Sequence, residues 1–190
     1  MRERRERPSS DGRILESARR LVQRGGAAQV SMGDVAADAG VSKALVHYHF
    51  ADKDSLLAAL VESVGRAVLE RAGASGVAGS AKPLDAHWAW FERELRAGDV
   101  RVLVSLADVD SAATRAVSRS VAAERLRLIA ADVEGIFAGL GLTPRMPAAL
   151  VAETVLAFCD GLACRVALEA VTDPRGAFDV LWLALLTLSE

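Results

Sequence analysis

Between Ser31 and Phe50 the chain reads SMGDVAADAGVSKALVHYHF, and that segment narrows the choice of fold more than any other. Ser31 and Ser42 are residues whose hydroxyls accept a hydrogen bond from the free amide groups at a helix start. Gly40 is the residue most at ease in the left-handed backbone that ends a helix. The spacing therefore predicts one short helix from Ser31 to Gly40, with Asp34 near its positive end, and a second from Ser42 to about His49. Met32, Val35, Ala36 and Ala39 supply the inner face of the first. Ala36 is small where the two helices must approach, and Val35, Val41 and Val46 can pack between them. Two short helices around a tight glycine turn, supported by a longer helix before them, make a helix-turn-helix.

The flanking text is helical too. In GRILESARRLVQRGG, Ile14, Leu15, Ala18, Leu21 and Val22 share one face, and Gly25 and Gly26 close the helix. Asp52 or Asp54 begins a fourth helix through Leu56, Leu57, Leu60, Val61 and Val64. Ala72 to Pro83 is rich in small residues and reads as a flexible joint. Beyond it, helical spacing recurs with Gly, Asp or Pro at each boundary, Pro144 and Pro147 opening an eighth helix to about Val171 and Pro174 opening a ninth to about Leu188. No strand-like alternation with hairpin turns interrupts the series. The expected fold is all-α, about nine helices, with a three-helix helix-turn-helix domain over residues 1–55 and a larger helical domain over residues 56–190.

Charge is distributed unevenly. Residues 1–50 hold nine Lys/Arg against six Asp/Glu, while residues 51–190 hold fourteen against nineteen. An arginine-rich arm, MRERRERPSS, ahead of a compact helical unit suits phosphate neutralisation, or else it is a solvated tail. That N-terminus does not run on into the apolar segment of a signal peptide, and charges interrupt every apolar stretch before it reaches membrane-spanning length. A cytoplasmic location is expected, without membrane association. Cys159 and Cys164, five apart in a helical stretch, read as buried thiols rather than a disulfide.

The second short helix buries Val46 and Phe50, leaving Lys43, Ala44, Leu45, His47 and Tyr48 outward. A lysine at a helix start reaches phosphate, a tyrosine hydroxyl donates to it, and a histidine meets phosphate or a base edge. Ser31 to Leu60 resembles the DNA-binding region of the TetR family of transcriptional regulators, in which an aromatic-His-aromatic ending is followed by a lysine at the start of the next helix. Tyr48, His49, Phe50 and Lys53 match it. The resemblance implies that Ser31, Ser42, Lys43, Tyr48 and Lys53 touch the DNA backbone, that Ala44, Leu45 and His47 face base edges or neighbouring phosphates, and that His49 sits at the helix junction. Leu45 and His47 depart from the family's usual residues, and leucine can offer a base only apolar contact such as to a thymine methyl.

Helices eight and nine are apolar around most of their circumference, so they lie centrally in the domain or are shared with a second subunit. The resemblance implies the second: an isologous four-helix homodimer interface suited to a two-fold operator on double-stranded DNA, with Phe158, Gly161, Arg165, Phe178 and Trp182 as candidates. His87, Trp88 and Phe91, with Leu103, Leu106, Phe137 and Phe158 from other helices, could line a pocket for a largely apolar small-molecule effector, or form an ordinary core around a histidine. Three histidines, no metal-ligand spacing, no nucleophile elbow and no phosphate loop argue against an enzyme, a metal site or a cofactor. The expected function is a ligand-responsive homodimeric transcriptional repressor. A helical interaction or scaffold module without sequence-specific DNA binding is the alternative.

Overall fold

The computed structural model describes residues 9–190, so the Arg-rich arm expected at residues 1–8 lies outside the described residues. Nine α-helices account for most of those residues: α1 Ser10–Gly25, α2 Met32–Ala39, α3 Lys43–His49, α4 Lys53–Gly73, α5 Pro83–Ala97, α6 Asp99–Ala107, α7 Ala112–Gly139, α8 Ala148–Ala167 and α9 Pro174–Thr187. No named strand occurs among the described residues, only an isolated bridge between Pro144 and Ser189.

Two apolar cores result. Ile14, Ala18 and Val22 of α1, Val35 of α2, Val46 of α3 and Leu56, Leu57, Leu60, Val61, Val64 and Val68 of α4 form the first, which also takes in Val102, Leu103 and Leu106 of α6 and Val121 of α7. The second gathers α5, α7, α8 and α9 around Trp90, Phe91, Ile136, Phe137, Phe178 and Trp182. The long helices α4 and α7 join them. They cross closest at Gly65, where a Cβ would stand 2.6 Å from Val121 Cγ2. Only glycine allows that approach without moving Val121.

Three expectations are corrected. The stretch between α4 and α5 is pinned rather than a free joint: Val77 is buried in the second core and Ser75 Oγ donates to Asp132 Oδ1 at 2.8 Å. Pro144 does not open α8, because Thr143 and Arg145 pair with the backbone of Glu190 and Leu188, and only Pro147 stands at the helix start. Lastly, α8 ends at Ala167, short of Val171. Glu169 adopts φ 54°, letting Glu169 N donate to Val166 O and Ala170 N to Arg165 O, a Schellman closure without its usual glycine.

Candidate nucleic-acid interface

The helix-turn-helix is held from behind by polar contacts as well as by its core. Ser31 Oγ accepts from Asp34 N, and Ser42 Oγ accepts from Leu45 N at 3.1 Å. Gly40 takes φ 64°, ψ 41°, so α2 ends where the turn begins. From α1, Arg13 donates to the Ala39 carbonyl at 2.7 Å and Ser17 to Asp38 at 2.8 Å, while Arg20 pairs with Asp38 at 2.6 Å. The Arg20 guanidinium, followed by the Ser17 hydroxyl, holds the Asp38 carboxyl below the usual carboxylate range. Arg13 and Arg20 are thus committed to fixing α2.

Phe50 and Val46 turn α3 so that its other side faces solvent. Val46 is fully buried and Phe50 nearly so, whereas Lys43, Ala44, His47 and Tyr48 are exposed and Leu45 is half-buried. Tyr48 is 83% exposed, the most of any large apolar side chain among the described residues, and nothing within the fold explains it. Its ring meets His49 edge-on at 5.3 Å, and His49 Nε2 lies 2.7 Å from Ser10 Oγ, tying α3 to the start of α1. Asp52 caps α4, accepting from Ser55 N at 2.7 Å, and that bond lowers its carboxyl below the ordinary range. Lys53 lies half-buried beside this cap, its Nζ donating to the Ala28 carbonyl at 3.1 Å. An ammonium has three donors, so that bond positions Lys53 without exhausting it. The exposed face therefore combines a cation and a phenol with an apolar and an imidazole side chain, groups of the kinds that can meet phosphates and base edges.

The family model described as bacterial regulatory proteins, tetR family, matches residues 14–60, the stretch that builds this face. The chain carries the DNA-binding domain of the tetR family. Comparison of the whole fold agrees. Regulatory protein TetR from Rhodobacter sphaeroides superposes with a TM-score of 0.76 at 18% identity, covering 94% of this chain and 97% of that one. The TetR transcriptional regulator from Legionella pneumophila gives 0.75 at 17%, covering 95% and 99%. The transcriptional regulator FadR from Bacillus subtilis, solved in complex with stearoyl-CoA, gives 0.69 at 14%, covering 92% and 97%. At such identities the likeness is one of fold. No curated protein matches. The match over residues 14–60 and the shared fold are consistent with a DNA-binding transcriptional regulator.

Outside the tetR-type domain, the residues expected to line an effector pocket divide between the two cores, with His87, Trp88, Phe91, Phe137 and Phe158 at the second and Leu103 and Leu106 in the first. Phe158 is half-buried on α8 beside a surface groove. Of the residues expected at a subunit interface, Phe178 and Trp182 point inward, buried at 1% and 2% exposure against α5 and α7, because an all-round apolar helix gives no hint of which face its own core claims. Gly161 and Arg165 do face outward on α8. Sequence reasoning missed Leu150, Leu168, Val180 and Leu183, the exposed apolar side chains on α8, at its end, and on α9. No group of three or more metal-ligating side chains occurs among the described residues, and no helix there is long and apolar enough to cross a membrane.

Proposed function

We propose that the protein is a homodimeric transcriptional repressor that leaves a two-fold operator when a small, largely apolar molecule binds its C-terminal half, residues 1–55 reading DNA and residues 56–190 pairing subunits and sensing. The observation that carries the reading is α3: a short helix capped by Ser42, anchored by Val46 and Phe50, whose exposed face presents Lys43, Ala44, His47 and Tyr48. Ser31, Ser42, Lys43, Tyr48 and Lys53 contact the sugar-phosphate backbone, and Ala44, Leu45 and His47 lie over base edges. One such helix per subunit, spaced about 34 to 36 Å from its twin, enters successive major grooves. Its place of action is the cytoplasm, with the DNA.

Pairing is supported by Gly161. It sits in mid-helix on the outside of α8, where glycine costs about 1 kcal/mol relative to alanine, yet a Cβ there would meet nothing within 4 Å. A second copy crossing at that point gives the missing side chain a reason, and Leu150, Leu168, Val180 and Leu183 supply apolar surface around it. Effector response is supported by the fold shared with the FadR protein crystallised with stearoyl-CoA.

Fluorescence anisotropy with the DNA flanking the protein's own gene tests the reading. Nanomolar, salt-sensitive binding by a dimer, weakened by Gly161→Arg together with dimerisation, is expected. No preference over random DNA would return the protein to the class of helical interaction modules.

A further inference from the structure

We infer that the effector is a planar aromatic molecule carrying a carbonyl or carboxylate oxygen, held where α5 and α9 meet, by the indole N–H groups of Trp90 and Trp182 and the imidazole of His87. This rests on the effector-responsive reading above and specifies its chemistry.

Buried polar atoms nearly always have partners, since an unmet donor in an apolar surrounding keeps its full desolvation cost. Six buried side-chain nitrogen and oxygen atoms among the described residues have none, and four of them are in one place: both ring nitrogens of His87, Trp90 Nε1 and Trp182 Nε1. His87 is 0% exposed, and the other two side chains are each 2% exposed. The His87 ring centroid stands 5.1 Å from that of Trp90, 5.5 Å from that of Trp182 and 5.7 Å from that of Phe178, with which it is stacked. Asp132 Oδ2 stands 3.5 Å from His87 Nδ1 without making a hydrogen bond to it, while its Oδ1 accepts from Ser75.

The chemistry of the set selects the ligand. An indole N–H donates only, and a neutral imidazole donates from one nitrogen, so donors outnumber acceptors and the occupant must bring acceptor oxygen. The surroundings are flat aromatic faces, which favour a flat aromatic body through offset or edge-on packing. An open groove of about 540 Å³ borders this cluster between the start of α5 and α9, lined by Phe178, Trp182, Leu84 and Leu186; His87 and Trp90 do not line it but pack behind Phe178 and Trp182, so a ligand meets the buried donors only by displacing those rings. That volume falls in the range of about 300 to 1,000 Å³ typical of small-molecule sites. Arg175, at the groove's edge and over the Trp88 ring at 5.4 Å, is paired with Asp179 and Asp85. A neutral carbonyl compound is therefore expected to bind at least as well as a carboxylate.

Matched probes decide the matter: 2-acetylnaphthalene, 2-naphthoate and 2-ethylnaphthalene, each titrated calorimetrically into the full-length protein, with operator affinity followed in parallel. The ketone should bind at least tenfold more tightly than the hydrocarbon, and its preference should shrink below threefold in His87→Phe and Trp182→Phe. Without any probe, His87→Phe should raise Tm, because it removes an unmet polar group from a core; this shows that the variant folds. Equal binding of ketone and hydrocarbon, a preference that survives both substitutions, or no binding by any probe overturns the assignment. Binding that follows the expected pattern but leaves DNA affinity unchanged keeps the site and rejects effector control. Release of DNA by a compound whose binding His87→Phe does not alter keeps effector control and rejects the site.

Discussion

On the proposed reading, Tyr48 and Lys43 divide the work of holding DNA in ways that a titration separates. Lys43 opens α3, where its ammonium would neutralise one phosphate. Lys43→Ala should weaken binding about equally for all sequences and lower the magnitude of the log-affinity against log-salt slope by about 1. Tyr48 is uncharged. Tyr48→Phe, which removes only the hydroxyl, should reduce affinity by the roughly 0.5 to 1.5 kcal/mol of one hydrogen bond and leave the salt slope unchanged. Anisotropy titrations between 50 and 200 mM salt, a range set by the steepness expected of such contacts, read both. The exposure of these two side chains was legible because Ser42, Val46 and Phe50 fix the rotation of α3, so its outward residues follow from helical spacing alone. Lys53 was not so plain. Its bond to the Ala28 carbonyl depends on where the turn after α1 passes, which spacing does not encode.

At the scale of elements, most helix starts could be read, but the role given to Pro144 and the end of α8 could not. Ser31, Ser42 and Asp52 each cap as their side-chain chemistry requires. The end of α8 escaped because a glutamate, Glu169, occupies the left-handed position where glycine would have announced the stop. That conformation costs an L-residue about 1 to 2 kcal/mol, so Glu169→Gly should stabilise the protein by about 1 kcal/mol, measured as a shift in urea midpoint at constant m. The crossing of α4 and α7 carries the opposite expectation. A Cβ at position 65 meets both Val121 methyl groups, so Gly65→Ala should cost about 1 to 3 kcal/mol despite its better helix propensity. Val121→Ala in the same chain should recover much of that. Recovery identifies the clash as the cause, whereas a Gly65→Ala variant as stable as the parent would show that α7 yields freely. The inward aim of Phe178 and Trp182 belongs to the same lesson: α9 is apolar on several sides, and which side the core takes is decided by α5 and α7.

Across the whole molecule, α1 and α4 meet α5 and α6 at a network of buried charge. Arg71, near the end of α4, donates in bidentate fashion to Glu94 of α5 at 2.5 and 3.0 Å and to Asp99 of α6 at 2.8 Å, and Asp99 is bound in turn by Arg19 of α1. Glu94 is fully buried, and its pairing raises the Arg71 pKa above its ordinary value. His87, Trp90, Phe91 and Glu94 lie at helical spacing on the buried side of α5, so a ligand held as inferred above would press on the same rigid helix that carries the Glu94 carboxylate. Arg71→Met alone strands a buried anion and should cost about 2 to 4 kcal/mol, less than for a fully enclosed pair because the arginine is about a quarter exposed. Arg71→Met with Glu94→Leu removes both charges and should recover most of that stability, since matched apolar replacements of buried ion pairs are often neutral. If the network transmits the ligand signal, the double variant binds operator with the affinity of the parent and binds ligand as the parent does, yet the two sites no longer weaken one another. Coupling between distant sites is reciprocal, so the loss must be visible from both sides. Ligand titrations with and without operator should then give the same Kd, and a tenfold difference persisting in the double variant would show that the signal travels by another path.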